Sequence, residues 1–275
     1  MPSDINFNLP ESSGELLQET YQDVAKPAAS ATGQTIGLVP RGIRAILWPL
    51  EKRIMEREFF REATIKLMEQ KLERLSPDKI VLPEDYVAIP ALQKISYSMD
   101  SALLRDLYAN LLAKAMYQPT KDFVHPAFIE IISQLSPTDA KLFKIICEAP
   151  NTPLISLAVK EETNTILLDL PLGAKILYEI PNMTVWEDFT YQNQQISLSN
   201  LERLGLLSCT TEKPYVDDSL YDPVRNTADF QYFTSELQKR FPENKIGEAR
   251  GFILVTAFGR SFYNVCINES FDSIQ

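Results

Sequence analysis

Apolar residues recur at helical spacing over much of the first half of the chain. In EKRIMEREFFREATIKLMEQKLERL, residues 51–75, Ile65, Met68, Leu72 and Leu75 fall on one face among residues of strong helix propensity. Ser76-Pro77 is predicted to end that helix, because a residue preceding proline avoids the helical region. The stretch EDYVAIPALQKISYS predicts a helix broken or kinked near Pro90. Over 101–117, Leu103, Leu104, Leu107, Tyr108, Leu111, Leu112 and Ala115 form a wide apolar stripe. His125-Pro126 opens AFIEIISQL, with proline at a favoured first position. Ser136-Pro137-Thr138-Asp139 offers a serine N-cap, proline at N1 and an acid at N3. Residues 50–149 are therefore predicted to be nearly all helical, running antiparallel across short connections.

The pattern changes after Pro150. Residues 151–192 mix Pro, Asn, Thr and aromatics without sustained period, and 210–250 are acidic, so both read as loop-like insertions. Between them ISLSNLERLGLLSC predicts a short helix with Gly205 as a left-handed C-cap. GFILVTAFGRSFYNVC then reads as a strand, a glycine turn and a final amphipathic helix. A helix from 137, a second short one, a third ending in Leu-Gly-Leu-Leu and two strands around a long wing follow the order of a winged helix. The expected fold class is mainly α: a helical bundle, then a winged-helix-like α+β C-terminal domain with insertions. The expected division is an acidic flexible N-terminus over 1–24, a small-residue, basic amphipathic segment over 25–50, a bundle over 51–135 and the winged-helix-like domain over 136–275.

Charge and composition narrow the function classes. The net charge of −10 repels phosphate backbones, so nucleic acid is not an expected ligand. Neither GxGxxG nor GxxxxGK[ST] occurs, which removes two common phosphate cradles. Cys147, Cys209 and Cys266 lie about 60 residues apart without a CxxC and read as reduced, buried thiols. The acidic start, with Asp4, Glu11, Glu15, Glu19 and Asp23 ahead of the first base, lacks the features of a signal peptide, so a cytoplasmic chain is expected.

Several runs together carry a resemblance. Asn110-Leu111-Leu112-Ala113 is followed by His125-Pro126-Ala127-Phe128-Ile129-Glu130-Ile131-Ile132 and by Gln134-Leu135-Ser136-Pro137 with Asp139-Ala140-Lys141. Later come Asn200-Leu201-Glu202-Arg203-Leu204-Gly205-Leu206 and Leu254-Val255-Thr256-Ala257-Phe258-Gly259-Arg260. In this order, over roughly residues 80–267, they resemble the Abi-alpha (abortive infection alpha) family, a bacterial family long catalogued as a domain of unknown function. Val255 stands where a second leucine is expected. The resemblance implies defence against phage by abortive infection and brings no established catalytic residues.

No residue set points clearly to a reaction. His125, the single histidine, precedes a helix-opening proline and reads as a cap on a free backbone amide. Cys147 lies on an apolar helix face, which favours packing over nucleophilic work. Glu243-Asn244-Lys245 and Glu69-Gln70-Lys71 spell the E-x-K of some metal-dependent nucleases, a tripeptide common by chance. No catalytic residue, metal site or cofactor is expected. The third helix of the winged-helix reading offers only Glu202 and Arg203, and the wing carries eight acids against six bases, which favours protein contact over DNA. Glu202 and Arg203 are thus partner-contact candidates.

Residues 26–48, KPAASATGQTIGLVPRGIRAILW, are the most unusual. Ala25, Ala29, Gly33 and Gly37 recur every four residues, a smooth strip that lets another helix approach. Arg41, Ile43, Arg44, Ile46, Leu47 and Trp48 follow, a composition suited to a membrane interface. The strip equally suits packing within a soluble bundle, and its uncharged part is too short and polar to span a bilayer alone. The expected function is non-enzymatic antiphage defence through contact with a phage or host protein, with membrane damage delivered by this segment. The expected partners also include a membrane surface and a second copy of the chain, and a winged-helix DNA-binding regulator is the alternative.

Overall fold

The computed structural model describes residues 66–95, 101–160, 176–186, 188–211 and 213–271. They divide into two compact units: one takes in the chain up to Gln134 together with the segment from Asn264, and the other is Leu135–Tyr263. The protein is mainly helical, with one small antiparallel sheet.

The first unit is helical. Helix α1 covers residues 66–72 and buries Met68 and Leu72 completely, and a 3-10 turn at Pro77–Lys79 follows. Helix α2, Asp85–Ile95, runs uninterrupted through Pro90, which forgoes one backbone donor. It lays Val87, Ala88, Ala91 and Ile95 into the core. Helix α3, Ala102–Ala115, starts where Ser101 Oγ accepts from Leu104 N, and every residue from Leu107 to Ala115 is buried. The stripe read from the sequence is thus one side of a helix covered all round. Helix α4, Ala127–Gln134, packs Phe128, Ile129, Ile131 and Ile132, and Tyr108 Oη donates to Ile129 O at 3.3 Å. His125 Nδ1 accepts from Ala127 N at 3.1 Å, capping the first turn of α4.

The second unit begins with α5, Pro137–Glu148, under a complete capping box of Ser136 and Asp139. Residues 151–192 differ from the loop expected there, since they contain β1, Pro153–Lys160, and β2, Ile176–Met183, an antiparallel pair. Among the described residues no second short helix separates α5 from α6, Tyr191–Arg203. After β3, Leu207–Thr210, residues 210–250 are likewise not loop alone. They form a 3-10 turn at Asp218–Tyr221, the short α7, Asp222–Arg225, helix α8, Ala228–Arg240, and the start of β4, Lys245–Val255. Helix α9, Ala257–Phe262, carries Gly259 inside it, where the sequence suggested a turn, and passes into a π-helical turn at Tyr263–Ile267.

The sheet order is β2-β1-β4-β3, every neighbour antiparallel. Strand β1 is central and buried on both faces, which explains why its sequence, PLISLAVK, shows no polar alternation. On one face Ile155, Leu157 and Val159 cluster with Ile180, Met183, Tyr221, Val224 and Leu237.

Candidate functional site

Two groups of polar side chains stand out, one in each unit. In the first, Asp106, Asn110 and Lys114 follow one another every four residues along α3. Lys71 Nζ lies 2.8 Å from Asp106 Oδ1, and Asn110 Nδ2 donates to Cys266 O at 2.9 Å. Lys114 is wholly buried, and its ammonium donates to Asn264 O and Asn268 O, both at 2.5 Å, 5.5 Å from the centre of the Phe271 ring. These carbonyls end a helical turn, where partial negative charge accumulates and a cation is favoured. Desolvation pulls the Lys114 amine down to about 8, with Cys266 opposing and Lys71 adding to the shift. The group anchors the segment after Asn264 within this unit.

In the second unit the runs Asn200–Leu206 and Leu254–Arg260 meet. Gly205 has φ +73° and closes α6 in the left-handed region, as the sequence suggested. Thr256 Oγ1 donates to Gly205 O at 2.6 Å and accepts from Gly259 N at 2.8 Å, so one hydroxyl caps α9 and ties it to the end of α6. A side chain on Gly259 would place its Cβ 2.1 Å from Leu206 O, so only glycine permits this approach. Asn200 Nδ2 donates to Asp139 Oδ2 at 3.0 Å, joining α6 to the capping box of α5. Asp139 is buried, and its Oδ1 has no partner among the described residues. The resemblance-bearing residues therefore build joints between elements.

The partner-contact candidates Glu202 and Arg203 are both exposed at the end of α6. Glu202 Oε1 accepts from Cys209 N at 2.9 Å, and Arg203 donates to Asn200 Oδ1 at 2.7 Å. The helix-association and membrane candidates Ala25, Ala29, Gly33, Gly37, Arg41, Ile43, Arg44, Ile46, Leu47 and Trp48 lie outside the described residues. No helix among the described residues is long and apolar enough to cross a membrane.

Other chemistry is sparse among the described residues. Burial pushes the Cys147 and Cys209 thiols up to about 12, and Cys266 well above its ordinary value, which keeps all three protonated and unreactive near neutrality. No group of three or more His, Cys, Asp or Glu residues is placed to hold a metal there. Of the E-x-K pairs, Glu69 and Lys71 both lie within α1, two residues apart and so on different sides of the helix, with Lys71 held by Asp106. A recess of about 170 Å³ between Glu84, Tyr86, Val87, Ala115, Lys121, Asp122 and Val124 is smaller than the 300–1,000 Å³ typical of cofactor sites.

Sequence reasoning missed a third cluster. Arg225 pairs with Asp218 and Asp222 at 3.0 Å and with Glu248 at 2.8 Å, and Arg250 also engages Asp218. Hydrogen bonds from Arg225 and Arg250 hold the Asp218 carboxyl below the usual range. The alternation of charge on β4 was the available signal, hidden by reading this stretch as loop.

These features define a mainly helical protein with a small antiparallel sheet, whose polar side chains are spent on joining its elements. The chain belongs to the abortive infection alpha family, whose model matches residues 59–266. No curated protein and no solved structure matches the chain.

Proposed function

We propose that this protein is a bacterial antiphage factor acting by abortive infection, through contact with a phage or host protein rather than by catalysis. Its family membership across residues 59–266 carries this reading. Support comes from the unreactive thiols and from large apolar side chains left to solvent: Ile196 on α6 is 68% exposed and Leu254 on β4 is 54% exposed. In this reading the segment 25–48 delivers the toxic event at the membrane. Bacteria expressing the protein should survive a phage panel at low phage-to-cell ratio and collapse at high ratio; no protection at any ratio would sink the proposal. Gly33→Leu with Gly37→Leu should abolish protection at unchanged protein level, and full protection would remove the membrane step.

A second reading has its own observation. We read the strand order β1-β4-β3, together with α5 and α6, as winged-helix-like, with β2 added outside β1. Helix α6 then exposes Gln192, Asn193 and Ser199, types that reach base edges in DNA regulators. Ile196 at its centre and Glu202 at its end weigh towards protein instead. A mobility shift that weakens steeply with salt and is lost in Arg203→Ala would favour DNA, and a flat titration at low salt would dispose of it.

A further inference from the structure

The recess in the first unit has the size of a side chain rather than of a cofactor. Its volume of about 170 Å³ equals roughly five or six waters at about 30 Å³ each, near the bulk of one long side chain. The floor is apolar: Val87 from the first turn of α2, Ala115 from the last turn of α3 and Val124, each less than a tenth exposed. Around that floor stand Glu84, Lys121 and Asp122. Among the described residues none of the three forms an ion pair, with one another or elsewhere, so two carboxylates and an ammonium line a common space without closing it.

A count of charges decides the sign of the occupant. Over the two stretches that build the recess, 78–85 and 115–124, the acids Asp78, Glu84, Asp85 and Asp122 oppose the bases Lys79 and Lys121, an excess of two acids. The positive end of α2 is already met by Glu84 and Asp85, and α3 brings its negative end at Ala115, so the space favours a cation. Two large rings adjoin it. Tyr86 lines the recess and is 61% exposed, and Phe123, which ends the 3-10 turn Lys121–Phe123 beside the lining residues Asp122 and Val124, is 47% exposed. The backbone beneath both is fixed: Val87 N and Ala88 N donate to Glu84 O at 2.9 Å, Phe123 N donates to Thr120 O at 3.1 Å, and Thr120 Oγ1 donates to Lys114 O at 2.7 Å. Rings held out on an ordered backbone cost little to immobilise and are the side chains that anchor protein contacts. Of the cations a protein can present, a guanidinium suits best, because it is planar, stacks on a ring and reaches two carboxylates at once, whereas an ammonium acts as a point charge. Its apolar stem would lie along Val87, Ala115 and Val124.

We propose that the recess between α2 and the turn at Lys121–Phe123 takes an arginine side chain presented by a partner protein, with Tyr86 and Phe123 packed against the partner around it. This gives the contact reading above a place on the molecule and rests on that reading for its role in the cell. The test is selection, on the full chain, of displayed heptapeptides whose central position is fixed as Arg, Lys, Glu or Ala and whose other positions are random. The Arg set should be enriched over the other three. Its peptides should bind Glu84→Gln with Asp122→Asn at least about tenfold more weakly, Tyr86→Ala likewise, and Lys121→Ala at least as tightly as the unaltered chain, since that change removes a like charge. Asp229→Asn with Glu236→Gln takes the same charge from the second unit and should leave affinity unchanged, which separates the recess from a general attraction to an acidic chain. Methyl resonances of Val87, Ala115 and Val124 should shift when peptide is added. Enrichment of the Glu set, of Lys and Arg alike or of no set overturns the proposal, as does equal affinity for the Glu84→Gln and Asp122→Asn variant or weaker binding to Lys121→Ala. The two readings fail separately: a chain that selects arginine peptides yet protects against no phage loses the function and keeps the recess, and one that protects while selecting none loses only the recess.

Discussion

Lys114 is a charge that the fold works against and also uses. Its amine falls from 10.5 to about 8 on burial, so the folded state gives up its proton more readily than the unfolded chain. The sign follows: the unfolded state binds more protons between these values, and stability rises with pH across about 8 to 10.5, by on the order of 3 kcal/mol if Lys114 acted alone. The thiols act oppositely. Cys147 and Cys209 rise from 9.0 to about 12, so their contribution is whole below pH 9.0 and drains away above it, as does that of Cys266. Chemical denaturation followed from pH 7 to 10 should therefore give greatest stability between about pH 8 and 9. In Lys114→Met the rise up to pH 8.5 should vanish and the fall above it remain; an unchanged rise would show that another group titrates. The sequence made Lys114 hard to see. At i, i+4 and i+8 with Asp106 and Asn110 it reads as the wet side of an amphipathic helix, and only burial of α3 on every side turns that stripe inward.

At the scale of elements, the joint of α6, β3 and α9 rests on atoms with no slack. Gly259→Ala should cost about 2–3 kcal/mol, since its methyl meets the backbone of Leu206, which cannot rotate aside. Gly205→Ala should cost about 1–2 kcal/mol through its left-handed φ, with open space around the new Cβ. Thermal unfolding of the pair should rank them in that order, and a milder Gly259→Ala would mean that the two elements separate more easily than this packing implies. Gly205, the capping box at Ser136 and the cap at His125 were all legible beforehand, because each depends on local backbone chemistry. Strands β1 and β2 were not. A strand covered on both faces loses the alternation that marks strands, and Pro181 within β2 reads as a breaker. Helix α8 escaped for the reverse reason: Leu237 is its single fully buried side chain, so its pattern is mostly that of a solvated surface.

For the molecule as a whole, the first unit is assembled from two distant parts of the chain. Stopping the chain after Tyr263 removes the carbonyls that hold Asn110 and Lys114. Limited trypsin digestion of that truncated protein should then cut after Lys114, a residue fully sheltered in the intact chain; equal resistance in both would show that the helices close without the later segment. Unit two, by contrast, is one uninterrupted stretch, Leu135–Tyr263. The discontinuity sets an order of events during synthesis. Helices α1 to α4 leave the ribosome first, yet their central lysine waits for carbonyls translated some 150 residues later. A chain broken off in mid-translation therefore leaves Asn110 and Lys114 without the carbonyls that hold them, so α3 can be sealed only after the segment from Asn264 has been made.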